Sequence, residues 1–158
     1  MLMNDGEAPG IRLATPADAA AVARIHMDAR AAAMPFLPVA QSRPHNEVTR
    51  WVEDVVLTEC RVWVYAQGDE VLGYAALEGD MLEHLYLRPD VRRRGIGTLL
   101  LDTVKRHSPG GLSLWVFQEN ADARAFYERH GFAVVEATDG RDNMERLPDF
   151  LMRWTPGG

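Results

Sequence analysis

Leu85-Tyr86-Leu87-Arg88-Pro89-Asp90-Val91-Arg92-Arg93-Arg94-Gly95-Ile96-Gly97-Thr98-Leu99-Leu100-Leu101 is the stretch whose reading decides the fold. Its opening residues finish an apolar run, Met81 to Arg88, with the look of a strand, and Pro89 ends it. From Thr98 to His107 the apolar residues recur at helical spacing, and Lys105, Arg106 and His107 fall where the negative pole of a helix favours cations. The segment therefore reads as strand, glycine turn, helix. Glycines let a backbone turn tightly enough for successive N–H groups to converge, and the start of a helix adds its positive pole. Arg92-x-x-Gly95-x-Gly97 is thus suited to an anion, although such a turn also occurs as a purely structural device.

Downstream, Pro109-Gly110-Gly111 resets the chain for the apolar strand Leu112–Phe117, which should run parallel to the preceding one because a helix joins them. Asn120 caps a helix from Ala121 to His130, Gly131 ends it, and Phe132–Val135 reads as a strand. A polar loop from Thr138 to Pro148 leads to a last strand, Phe150–Trp154. Upstream, Ile11–Leu13 alternates like a short strand, and Thr15-Pro16-Ala17-Asp18 starts a helix over Ala19–Ala32. Prolines mark residues 34–44 as loop, and a second helix spans Asn46–Leu57. Arg61–Ala66 and Val71–Leu77 form a hairpin. With no repeat or linker in view, residues 1–10 form a flexible leader and 11–155 a single α/β (α+β) domain, a mixed sheet with helices on both faces.

Composition narrows the classes. At 158 residues, 47% hydrophobic and 25% charged, the chain suits one compact domain. A net charge of −6 argues against nucleic-acid and anionic-membrane partners, which leaves the triplet Arg92–Arg94 as a local anion site. No apolar run is long enough to cross a bilayer, and Met1–Glu7 lacks the blocks of a signal peptide, so a cytoplasmic location is expected. Cys60, the single cysteine, fits a small packed residue better than a nucleophile. No His, Cys or carboxylate spacing suggests a metal site.

The turn lacks the lysine of a Walker loop and is one glycine short of the dinucleotide fingerprint. It resembles the signature Arg/Gln-x-x-Gly-x-Gly/Ala of the GNAT acetyltransferase superfamily at Arg92, Gly95 and Gly97. The resemblance extends from Met81 through Val135, because Leu85-Tyr86-Leu87-Arg88-Pro89 precedes the signature and Asn120-x(5)-Phe126-Tyr127-x(3)-Gly131-Phe132 follows it. It implies a mostly antiparallel sheet of six to seven strands, splayed between two central parallel strands, with residues 81–135 forming an acetyl-CoA-binding core. Leu85, Tyr86 and Leu87 would meet the pantetheine arm, with backbone groups of Leu85 and Leu87 pairing as in an added strand. Arg92, Arg93, Arg94, Gly95, Ile96, Gly97 and Thr98 would hold the pyrophosphate. Asn120 would reach the pantetheine arm besides capping its helix.

The same resemblance implies acetyl transfer from acetyl-CoA to a primary amine, with Tyr127 as general acid for the departing thiolate. An amine of reference pKa about 10.4 is protonated at pH 7, so a base is useful. Glu83 is the favoured base and His84 its competitor; strand alternation sends their side chains to opposite faces unless a bulge intervenes. Acceptor contacts are expected from His26, Arg30, Phe36 and Glu145, with the acidic loop 139–149 attracting a cation. His45 and Glu47 are further acceptor candidates. The tryptophans are expected in the core or at interfaces. Homodimers are common in the family. A non-catalytic acyl-CoA sensor is the rival reading, since the binding turn alone would look the same.

Overall fold

A computed structural model describes residues 8–37 and 43–157. In chain order these form β1 (Ile11–Leu13), α1 (Ala19–Ala33), α2 (His45–Trp51), a π-helical turn over Val52–Val56 and α3 (Leu57–Glu59). β2 (Arg61–Gln67), β3 (Glu70–Glu78) and β4 (Met81–Leu87) follow, then α4 (Ile96–Arg106), β5 (Leu112–Phe117), α5 (Ala121–Arg129), β6 (Ala133–Thr138) and β7 (Asp149–Trp154). The entry to α1 is fixed by Asp18, whose carboxylate accepts from the Thr15 N–H and from both terminal guanidinium nitrogens of Arg12. Arg12 holds that carboxyl below its ordinary range. Of the leader expected over 1–10, residues 1–7 lie outside the described residues. Residues 8–10 are tied down: Ile11 N–H donates to Ala8, and Ala66 N–H to Gly10.

The seven strands form one sheet in the order β1-β2-β3-β4-β5-β7-β6. Every neighbouring pair is antiparallel except β4 and β5, which run parallel because α4 carries the chain between them. Two apolar cores flank it. Leu100, Leu101 and Val104 of α4 pack with Leu82, Leu112, Leu114, Met152 and Phe132 on one face, joined by Phe126 and Tyr127 of α5. Val22 and Ile25 of α1, Val48 of α2 and Val52 of the π-helical turn pack with Val64, Tyr74 and Ala76 on the other. The expected helices on both faces hold over β2 to β4. On β5, β7 and β6 the second face carries neither core, and Trp115 there is 45% exposed.

Alternation along β4 breaks at a bulge. Ala76 faces His84 while the next residue, Leu77, faces Leu82, so Glu83 is the extra residue on its strand. Leu82 and Leu85 consequently share the α4 side despite their odd spacing, and His84 and Tyr86 share the α1 side.

On that α1 side a polar cluster sits inside the core. The buried Tyr74 hydroxyl lies 2.9 Å from Nδ1 of His26 and 2.9 Å from Nδ1 of His84. A hydroxyl has one proton, so with neutral imidazoles it donates to one ring and accepts an N–H from the other, and the two histidines hold opposite tautomers. Burial depresses His26 to about 3, helped by His84 and nearby arginines, and His84 to about 4, helped by Arg30. The unfolded chain takes up protons at these histidines near pH 6.5, whereas the native state resists until about 4 and below. This stabilisation is complete above pH 6.5 and fades as the pH falls through that window. Urea midpoints from pH 7.5 to 4.5 should therefore drop steeply, and His84→Gln should flatten the dependence by about 1.4 kcal/mol per pH unit, the value of one proton.

Candidate active site

The bulge at Glu83 bends β4 away from β5. The two strands meet only where Met81 pairs with Ser113, whose N–H donates to Asp80 at 2.8 Å. The Arg88 N–H donates to Leu72 at 2.8 Å, and bonded and non-bonded pairs alternate along an antiparallel ladder. That phase turns the N–H and C=O groups of Leu85 and Leu87 toward the gap, where no described strand pairs with them. An extended ligand with amides of its own can satisfy this edge.

A cavity fills the gap in two lobes, of about 600 Å³ and about 220 Å³, that share Met34, Leu85, Tyr86, Asn120, Ala123 and Tyr127 as a waist. The smaller lobe ends at Arg92 and Gly97. Here α4 begins two residues earlier than its sequence pattern suggests, placing Ile96 and Gly97 in its first turn. Gly95, at φ +83°, supplies the left-handed step before the helix, and Arg93 also adopts positive φ, at +69°. The first intrahelical bond runs from Leu99 N–H to Gly95 O, so the amides of Ile96, Gly97 and Thr98 keep their donors for a ligand. A Cβ on Gly97 would meet the protein only at ordinary contact distances, 3.5 Å from Phe126 and 3.7 Å from Leu87, so the glycine instead leaves room on the cavity side. Arg92, Arg93 and Arg94 are exposed and form no ion pair among the described residues. The Thr98 hydroxyl is engaged: His130 Nδ1–H donates to Phe126 O, leaving Nε2 to accept from Thr98 at 3.1 Å. Donors and shape fit a pyrophosphate with an amide-bearing arm.

The larger lobe has the opposite sign. Glu83, Glu136, Asp139, Asp142, Glu145 and Asp149 line it, against Arg30 alone. Arg30 is engaged: one nitrogen donates to the Tyr86 hydroxyl at 3.0 Å, and the other lies 3.5 Å from Glu145. Asp149 is buried and accepts from Thr138 and Asn143, and Asp139 pairs with Arg141. Glu83, Glu136 and Asp142 remain exposed and without an ion partner among the described residues. Although Glu83 is exposed, its carboxyl is partly shielded from water, and this, with Glu78 adding, raises its pKa above the ordinary value.

At the waist stands Tyr127, half-buried, its hydroxyl in no hydrogen bond among the described residues. Burial, and secondarily Tyr86, raises its pKa, so the phenol stays protonated at neutral pH. Asn120 also lines both lobes while its Oδ1 accepts from Ala123 N–H at 3.4 Å, which makes it both helix cap and cavity wall.

The sequence candidates are therefore partly brought together. Tyr127, Glu83, Leu85, Tyr86, Leu87, Arg92, Gly97, Asn120, Arg30 and Glu145 line the cavity. Phe36 stacks edge-on against Phe117 at 5.9 Å, beside it. His26 does not reach the cavity, because Tyr74 and the rings of Trp51 and Tyr86 hold it inside the core. His84 is held likewise, so the bulge leaves Glu83 alone facing the larger lobe. Burial and the carboxylates of Glu78, Glu83 and Glu59 push the Cys60 thiol up to about 11. Sequence reasoning missed Glu136 and set Trp115 aside; both line the larger lobe, and only the pairing of β6 and β5 with β7 places them there. Among the described residues no group of three His, Cys, Asp or Glu side chains is placed to hold a metal ion.

Residues 58–134 match the family model described as the acetyltransferase (GNAT) domain. The chain is 33% identical over 104 residues to the peptidyl-lysine N-acetyltransferase YiaC of Escherichia coli, covering 65% of this chain and 69% of that one. It is 35% identical over 92 residues to the peptidyl-lysine N-acetyltransferase YjaB of Salmonella typhimurium, covering 58% and 60%. Its fold superposes on the solution structure of apo YjaB from Escherichia coli with a TM-score of 0.75 and 25% identity over 91% of this chain and 95% of that one. The chain belongs to the GNAT acetyltransferase family.

The tie from Arg30 to Tyr86 and Glu145 fastens the segment after β6 to α1. Arg30→Met should cost about 2 kcal/mol and speed amide exchange in residues 143–147, measured by urea unfolding and hydrogen exchange.

Proposed function

We propose that this chain transfers the acetyl group of acetyl-CoA to a primary amine in a ternary complex, and that the amine is a lysine side chain of a polypeptide. One observation carries the reading: an unpartnered, protonated Tyr127 hydroxyl stands where a lobe ending in arginines and free amides meets a lobe lined by carboxylates. The relatives YiaC and YjaB, which act on peptidyl lysine, support the acceptor class.

Acetyl-CoA supplies the thioester whose carbonyl carbon the amine attacks. Arg92 and the amides of Ile96, Gly97 and Thr98 hold its pyrophosphate, and Leu85 and Leu87 pair with its arm. Glu83 takes a proton from the ammonium, directly or through water, releasing the nitrogen lone pair; its raised pKa makes it a better base than an ordinary carboxylate. As the N–C bond forms and the C–S bond breaks, Tyr127 gives its proton to the departing thiolate, the acylated nitrogen sheds its second proton through water to restore the Tyr127 phenol, and Glu83 returns its own proton to solvent. Arg30 and Glu145 steady the wall against which the acceptor sits.

Calorimetric titration with acetyl-CoA tests the first half: wild type should bind, and Gly97→Trp, whose side chain fills the turn, should not. Thiol release tests the second. Tyr127→Phe should lower kcat about 100-fold with little change in acetyl-CoA affinity. Glu83→Gln should remove the acidic limb of the pH–rate profile, because the base works only once deprotonated; an unchanged profile rules it out. Acetyl-CoA binding without transfer to any amine would leave the sensor reading in place.

A further inference from the structure

The face of β5, β7 and β6 that carries no core among the described residues is continuous with the acidic lobe. Trp115, Leu151 and Glu136 stand in one cross-strand row on it, and Trp115 and Glu136 also line the cavity. Trp115 is 45% exposed, and Val135, the bulged residue of the edge strand β6, is 58% exposed. An amine no larger than a lysine side chain is accommodated by the cavity alone. An indole on the outer rim gains contact only from an acceptor that continues past the mouth, and aromatic rings so placed are common anchors of protein interfaces. The unpaired charges lining the lobe have one sign: Glu83, Glu136 and Asp142 lack ion partners among the described residues, while Arg30 is engaged by Glu145 and Tyr86, and Arg153, farther along the same face, by Asp80.

We propose that this open sheet face docks the polypeptide that carries the acceptor lysine, an apolar side chain near the lysine resting on Trp115 and Leu151 and flanking basic residues meeting Glu136 and Asp142. The lysine's fate rests on the acetyl-transfer reading, but docking itself is measurable as binding. The surface complements a basic segment, and the electrostatic part of the affinity falls with salt.

The probe is a fluorescein-labelled peptide with one central lysine flanked by leucines and arginines, followed by fluorescence anisotropy with free coenzyme A present. Wild type should bind it, more weakly as KCl rises and more weakly still when glutamates replace the arginines. Trp115→Ala and Leu151→Lys should each raise Kd about tenfold, with circular dichroism confirming the fold. In the transfer assay the same variants should lower the ratio of kcat/KM for the peptide to kcat/KM for butylamine by a similar factor. No binding by wild type, or equal binding by all three proteins, overturns the proposal. Loss of a dimer in sedimentation, with peptide affinity unchanged, overturns it too and gives the face to a second copy. Binding that depends on Trp115 without transfer to either amine upholds the docking face and sinks the acetyl-transfer reading instead.

Discussion

A sheet gains stability from each strand pairing it completes, and this sheet leaves one incomplete at its centre. β4 and β5 share a single register pair at Met81 and Ser113 and then part, because the extra residue Glu83 bends β4 out of line. The gap survives because each side is held independently. β4 is zipped to β3, and α1 and α4 pack against it on its two faces; β5 is zipped to β7. The unused backbone groups of Leu85 and Leu87 are left as an unpaired edge along the gap, and Tyr127 of α5 reaches the opening.

The same residue resets the parity of β4, and much of the site's chemistry follows from that. Leu85 and Leu87 serve the α4 core while their backbones face the gap, and His84 turns inward to share Tyr74 with His26. In that cluster one buried hydroxyl satisfies two ring nitrogens and underlies Tyr86. Tyr86 in turn holds Arg30, and Arg30 holds Glu145, so a chain of contacts runs from the core to the loop beside the acidic lobe.

How much of this the sequence disclosed follows from the range of the signals. The glycine turn, the flanking strand and helix, and the order of Leu85, Gly95, Gly97, Asn120 and Tyr127 are local patterns, and the structure keeps them. The sequence pattern starts α4 two residues late because Gly97 reads as a turn former, although it is Gly95, with Arg93, that takes the left-handed conformation and Gly97 is helical. What depended on pairing was not legible. A one-residue bulge leaves no mark in composition, so the separation of Glu83 from His84 could be stated only as a condition. Insertion of β7 between β5 and β6 is a long-range event, and it alone brings Glu136 and Trp115 to the cavity. His26 lies on the predicted helix, but its inward face is decided by Tyr74, 48 residues away.

The opposite signs of the two lobes bear on how a catalytic cycle ends. In the proposed reaction the acceptor nitrogen arrives as an ammonium and leaves as an amide without charge. The attraction that Glu83, Glu136 and Asp142 exert on it exists before the reaction and is gone afterwards. On that reading the cavity grips its substrate more tightly than its product at the atom that changes, and turnover clears its own site.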